Sequence, residues 1–176
     1  MNERMAGKVA FITGAARGQG RRHAVRFAEE GADIIALDVA APVPAQGAPA
    51  ATPEDLAETV RLVEALDRRI VAGQADVRDP KAVAELVEDG VAQLGRLDVV
   101  VANAGIQGDP APVALTADAD WQAVIDTNLS GAFYTVKAAI PHLVAGGRGG
   151  AIVITSSSIA LRAVPNMAAY GQPRRA

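Results

Sequence analysis

At 176 residues, 50% of them hydrophobic and 21% charged, the chain suits one ordinary globular domain around a single core. Its formal net charge of -3, spread over both signs, excludes a basic face for nucleic acid, and the absence of cysteine excludes a disulfide framework and thiolate metal sites. No apolar run approaches the ~20 residues of a membrane helix and the polar stretch 1–7 holds no signal-peptide core, so a cytoplasmic protein with no membrane partner is expected.

Short β-branched runs alternate with longer amphipathic stretches along the chain. Residues 8–13 read as a buried strand and residues 18–30 as a helix, stopped by Gly31. Residues 33–38 form the next strand. Thr52-Pro53-Glu54-Asp55 opens a second helix, with Thr52 as cap, Pro53 in the first turn and carboxylates on the positive end of the dipole; it runs to about Asp67. Strand 69–75, helix 79–93 and strand 97–102 follow. A long helix then covers about 116–145, bent or interrupted near 128–131, with Trp121 packing near its start. Residues 151–156 make a fifth strand. Strands joined by crossover helices predict an α/β fold, a doubly wound parallel sheet of the Rossmann type. Near-continuous apolar runs such as 97–102 suit strands covered on both faces. The Pro/Ala-rich insertion 40–52 breaks the rhythm, because Pro42, Pro44 and Pro49 forbid a strand or a regular helix. It is either a floppy surface loop or a stiff flap beside whatever binds next to Asp38.

The first strand runs into Thr13-Gly14-Ala15-Ala16-Arg17-Gly18-Gln19-Gly20. Gly14 permits a tight turn, Gly18 lets backbone approach a pyrophosphate, and Gly20 lets the helix pack close to the strand; the free N–H groups at the helix N-terminus then face the phosphates. Glycines also serve ordinary turns; placement between a buried strand and a helix is what raises the signal. Asp38 ends the second strand, where its carboxylate can accept hydrogen bonds from adenosine ribose hydroxyls and repel a 2′-phosphate. NAD is therefore expected over NADP, although Arg17 beside the loop pulls the other way. Arg17 and Gln19 in the loop, and Val39 after Asp38, complete this end of the cofactor site.

The stretch 13–20 resembles the Thr-Gly-x-x-x-Gly-x-Gly motif of short-chain dehydrogenases/reductases. Asp76-Val77 is similar to that family's adenine-contacting pair, and Asn103-Ala104-Gly105 to its Asn-Ala-Gly motif after the fourth strand. Asn128 resembles the asparagine of the catalytic tetrad, and Ser157 precedes Tyr170 at the family's spacing. A narrower resemblance, carried by 14–20, the Pro-rich insertion and Thr52-Pro-Glu-Asp-Leu-Ala-Glu-Thr59, is to the mycofactocin-associated, carveol-dehydrogenase-like branch. There the insertion helps enclose the nicotinamide cofactor, and substrates are secondary alcohols of terpenoid or steroid character. The resemblance implies NAD-dependent interconversion of a secondary alcohol and a ketone. Tyr170 would be the acid/base and also touch the cofactor, Ser157 would bond the substrate oxygen, and Asn128 would organise a supporting water. It also implies a homo-oligomer, tetramer or dimer, built on the long helix where the full-length domain is present.

The sequence departs from the family after Tyr170. An ordinary phenol titrates near ~10, and the family lowers this with a lysine four residues on. Here that position holds Arg174, whose planar fork does not replace an ammonium, and Pro173 disturbs the helix. The chain reads as one NAD-binding Rossmann domain, 1–176, incomplete at its C-terminus, with the fifth strand left as an exposed apolar edge. Two other readings stay open: a non-catalytic dinucleotide-binding module or pseudoenzyme, and a sugar-nucleotide epimerase or dehydratase. His23 and His142 are isolated and the carboxylates lack ligand spacing, so no metal is expected.

Overall fold

The computed structural model describes residues 3–45 and 47–171. Five strands, β1 (Val9–Thr13), β2 (Asp33–Asp38), β3 (Ile70–Gln74), β4 (Val99–Ala102) and β5 (Ala151–Ile154), form one parallel sheet of order β3-β2-β1-β4-β5. Alternate residues of the central strands feed opposite faces. Ala10, Ile12, Ile34 and Ala36 pack beneath α1 (Gly18–Glu29) and α2 (Pro53–Glu64). Val9, Phe11, Ile35 and Leu37 pack on the other face, with Val83 and Val87 of α3 (Pro80–Leu94) and Ala139 of α5 (Gly131–Ala145). The sheet is thus doubly wound, as the alternation of strands and helices predicts. Every residue of β1 is buried, whereas all four of β5 are exposed, Val153 by 51% and Ile154 by 57%. The run of apolar residues in β5 looks like that of a covered strand, yet among the described residues no further strand pairs with its outer edge.

Helix ends follow local chemistry. Gly31 takes φ +96 after α1, and Gly95 takes φ +87 after α3. Thr52 and Asp55 form a reciprocal capping box on α2, and the Asp79 carboxylate caps α3 through the N–H groups of Lys81 and Ala82. α2 stops at Glu64, short of the Asp67 expected from the pattern, because Asp67 itself turns into the left-handed region.

The long helix is one rod in three pieces: α4 (Asp118–Ile125), a π-helical turn (Asp126–Ser130), then α5. The interruption foreseen near 128–131 is thus a widened turn rather than a break. Trp121 stays 38% exposed, so its expected packing is corrected. The Pro-rich insertion has no regular structure but is docked. The Gly108 N–H donates to the Ala45 carbonyl at 2.9 Å, and Val43 and Ala45 pack on Ile106, Ala123 and Val124. The insertion is thus packed along this stretch rather than standing free.

Candidate active site at the topological switch point

A cleft of about 610 Å³ opens at the carboxyl ends of β1, β2 and β4, where the strand order reverses. Ligands of open α/β sheets bind at this crevice. Its floor is the turn from β1 into α1. Gly14 takes φ +69, and a Cβ there would sit 3.0 Å from the Ala104 Cα. Gly20 lies behind the turn: a Cβ would come within 1.9 Å of the Gly14 carbonyl oxygen, so only hydrogen lets α1 approach β1 this closely. Unlike α2 and α3, α1 has no side-chain cap, and no acid stands in its first turn. Its orphan N–H groups and positive dipole end lie beside a cleft lined by Arg17, Gly18 and Gln19, an arrangement that suits a phosphate.

Asp38 lines the same cleft while only 6% exposed. Its Oδ2 accepts the Ala16 N–H at 2.8 Å and its Oδ1 the Ala40 N–H at 2.9 Å. Each carboxylate oxygen retains a lone pair for a ligand hydroxyl. Val39 borders it, and Asp76 and Val77 form the wall beyond. Burial pushes the Asp76 carboxyl up, but hydrogen bonds from the Arg78 guanidinium and N–H outweigh this and hold it below the usual range. Val77 has a packing role as well, since a Cβ on Gly131 would meet its Cγ2 at 2.7 Å.

The cleft is braced by Thr13, which the sequence motif contains but to which it gives no role. Its buried hydroxyl oxygen accepts the N–H groups of Asn103 and Ala104, each at 3.1 Å. Asn103 in turn donates to the Thr13 carbonyl at 3.0 Å and accepts the Thr155 hydroxyl at 3.2 Å, joining β1, β4 and the end of β5. Ala104 and Gly105 line the cleft as well.

Ser157 and Tyr170 line the cleft together with the glycine turn. The Ser157 Oγ accepts the Ile159 N–H at 3.4 Å, and Tyr170 stands on the short α6 (Ala168–Gly171). Asn128 and Gly20 are placed differently from the other expected site residues: both are buried behind the wall and do not line the cleft. Both ends of the Asn128 amide engage one residue. Its Oδ1 accepts the Ile106 N–H and its Nδ2 donates to the Ile106 carbonyl, each at 2.8 Å. The side chain therefore clamps the loop after β4, which leaves any water-organising role to its backbone within the π turn. Arg174 lies outside the described residues.

A crevice of this build belongs to the dinucleotide-binding class of α/β proteins. The profile of the short chain dehydrogenase family matches residues 8–173, and the chain belongs to that family. It is 59% identical over 171 residues to a short-chain type dehydrogenase/reductase of Mycolicibacterium smegmatis, covering 97% of this chain and 61% of that protein. With (-)-trans-carveol dehydrogenase of Rhodococcus erythropolis it shares 47% identity over 167 residues, covering 95% and 60%. The crystal structure of carveol dehydrogenase from Mycobacterium avium in complex with NAD superposes with a TM-score of 0.96 at 56% identity, covering 98% of this chain and 62% of that one. The chain thus spans about three-fifths of the length of these relatives.

Proposed function

We propose that this chain binds NAD in the switch-point cleft and serves the interconversion of a secondary alcohol and a ketone. The observation that carries the reading is that one cleft gathers the uncapped α1 terminus, Asp38, Ser157 and Tyr170. The residues fit the cofactor: the glycine turn leaves room for backbone to approach a pyrophosphate, Asp38 keeps lone pairs for ribose hydroxyls, and Asp76 and Val77 border the adenine end. Asn103, Ala104 and Gly105 close the floor beneath the nicotinamide half. When bound, NAD supplies a hydride acceptor. Ser157 holds the carbinol oxygen, Tyr170 takes its proton, and Asn128 keeps the loop after β4 in place.

The carveol dehydrogenase names of two relatives support a terpenoid-like alcohol as substrate. The same reading has the protein work in the cytoplasm, as a cofactor-binding unit interrupted by the 40–52 insertion. It also takes the chain to be a homo-oligomer, tetramer or dimer. Supporting this, Trp121, Leu129, Phe133, Ile140 and Val144 recur at helical spacing along α4, the π turn and α5 and are all exposed. The arginine at position 174 favours the alternative of a non-catalytic dinucleotide-binding module. A titration of NAD, followed by a panel of secondary alcohols with NADH absorbance as readout, separates the two. Saturable binding with an alcohol-dependent rise is expected; saturable binding without turnover on any alcohol would leave only the module.

A further inference from the structure

Arg21 is the fourth residue of α1, at the end of the helix where a cation is least welcome to the dipole. It does not line the cleft. Its guanidinium turns away, and its Nε and Nη2 are both engaged. Nε donates to the Ala16 carbonyl at 2.9 Å and to the Thr59 hydroxyl at 3.1 Å. Nη2 donates to the Asp55 carbonyl at 2.8 Å and to the same Ala16 carbonyl, with the Asp55 carboxylate at 3.3 Å. Thr59 adds its own hydroxyl, donating to the Ala15 carbonyl at 2.9 Å. Ala15 and Ala16 are themselves buried.

Ala16 is therefore held from both sides. Arg21 and Thr59 grip its carbonyl from α1 and α2, and its N–H points at the Oδ2 of Asp38. The other oxygen of Asp38 rests on the Ala40 N–H, and Ala40 is held at φ +45, a region that alanine rarely adopts. Of the two backbone donors that aim the carboxylate, one is thus on a strained residue and the other is fixed by Arg21.

We infer that Arg21, with Thr59, is a positioning residue for cofactor choice: by fixing Ala16 it holds Asp38 where a 2′-phosphate would have to sit. The inference rests on NAD being the ligand of the cleft. Asp38 and Arg17, of opposite charge, both line the cleft. While Asp38 is held, its charge excludes the phosphate. Once Ala16 is loose, the carboxylate can swing aside and Arg17 is left to attract the extra anion. Arg21 acts through the shape of its fork, since its charge is paired with Asp55.

The test is the ratio of NADP to NAD dissociation constants, measured by calorimetry on the 176-residue chain, with the thermal midpoint of the unliganded protein recorded alongside. Arg21→Lys keeps the charge and loses the fork, and it should narrow the ratio by about tenfold. Thr59→Val, uncharged and close in volume, should narrow it in the same direction and by less. A general loosening weakens both nucleotides alike and leaves the ratio unchanged; that result in a folded Arg21→Lys or Thr59→Val chain overturns the inference. A wild-type chain that binds NADP as well as NAD overturns it too. A wild-type chain that binds neither sinks the NAD reading and this inference together.

Discussion

Asn128 shows how a residue that looks catalytic can first be a fastener. Its amide both accepts from and donates to the backbone of Ile106, and all of these groups are buried. Asn128→Ala leaves two buried polar groups without partners and should cost about 1–3 kcal/mol in urea denaturation. Asn128→Asp is nearly isosteric, yet at neutral pH its carboxylate can only accept, so it is set against the Ile106 carbonyl oxygen. It should therefore be the less stable of the two. The reverse order would mean that water or the neighbouring backbone takes over the clamp. At this scale the sequence was informative where a residue type is irreplaceable. Gly14 and Gly20 stood out because no side chain fits beside them, and Asp38 because a carboxylate at the end of a strand beside a glycine turn has few other uses. The roles of Thr13, Arg21 and Thr59 were not legible. Each is a common polar residue whose meaning lies in a partner such as Asn103, 90 residues from Thr13, or Ala15, 44 residues from Thr59.

Among the elements, the strands and helices were readable because apolar periodicity and capping chemistry are local, as at the Thr52–Asp55 box. The π form of the interruption foreseen near 128–131, the docking of the insertion and the early end of α2 were not, since each depends on more than local pattern. How β4 is tied to β1 also depends on a distant partner. Asp98, nearly buried, accepts the Val9 N–H at 2.9 Å and a fork from Arg96, with Arg148 close by. Burial pushes its carboxyl up, but the bonds from Arg96 and Val9 and the two arginine charges outweigh this and hold it below the ordinary range. Asp76, Asp55 and Glu30 are shifted the same way. A depressed folded-state value means that the unfolded chain takes up protons first. The stabilisation is therefore fully present above the ordinary carboxylate value of ~4 and is lost as pH falls through the lower folded value. Stability measured against pH should stay flat above about pH 5 and drop steeply below about pH 4. Asp98→Asn should be less stable at neutral pH and show a shallower acid slope; an unchanged slope would move the source to the other carboxylates.

Over the whole molecule, the uneven covering of the sheet dominates. β1 and β2 lie between two helical layers, while β5 exposes Ile152, Val153 and Ile154 at one side. An apolar edge with free backbone groups recruits other chains. Sedimentation velocity on the 176-residue chain should show association that grows with concentration. Val153→Lys should suppress it while changing stability by less than about 0.5 kcal/mol, because the site is already half in water. Equal association by both proteins would place the adhesive surface on α5 instead. The sequence by itself determined the doubly wound sheet, the position of the glycine turn and the acid that closes β2. These follow from hydrophobic period, from steric limits that only glycine escapes, and from charge at a strand end, all properties of neighbouring residues. Only the tertiary structure decided that the insertion is docked on the loop after β4, that Asn128 faces a backbone rather than the cleft, and that Ala16 is gripped from α1 and α2. Hydrogen-bond partners of that kind are chosen by which segments the fold brings within 3 Å or so, a distance in space that no local pattern records.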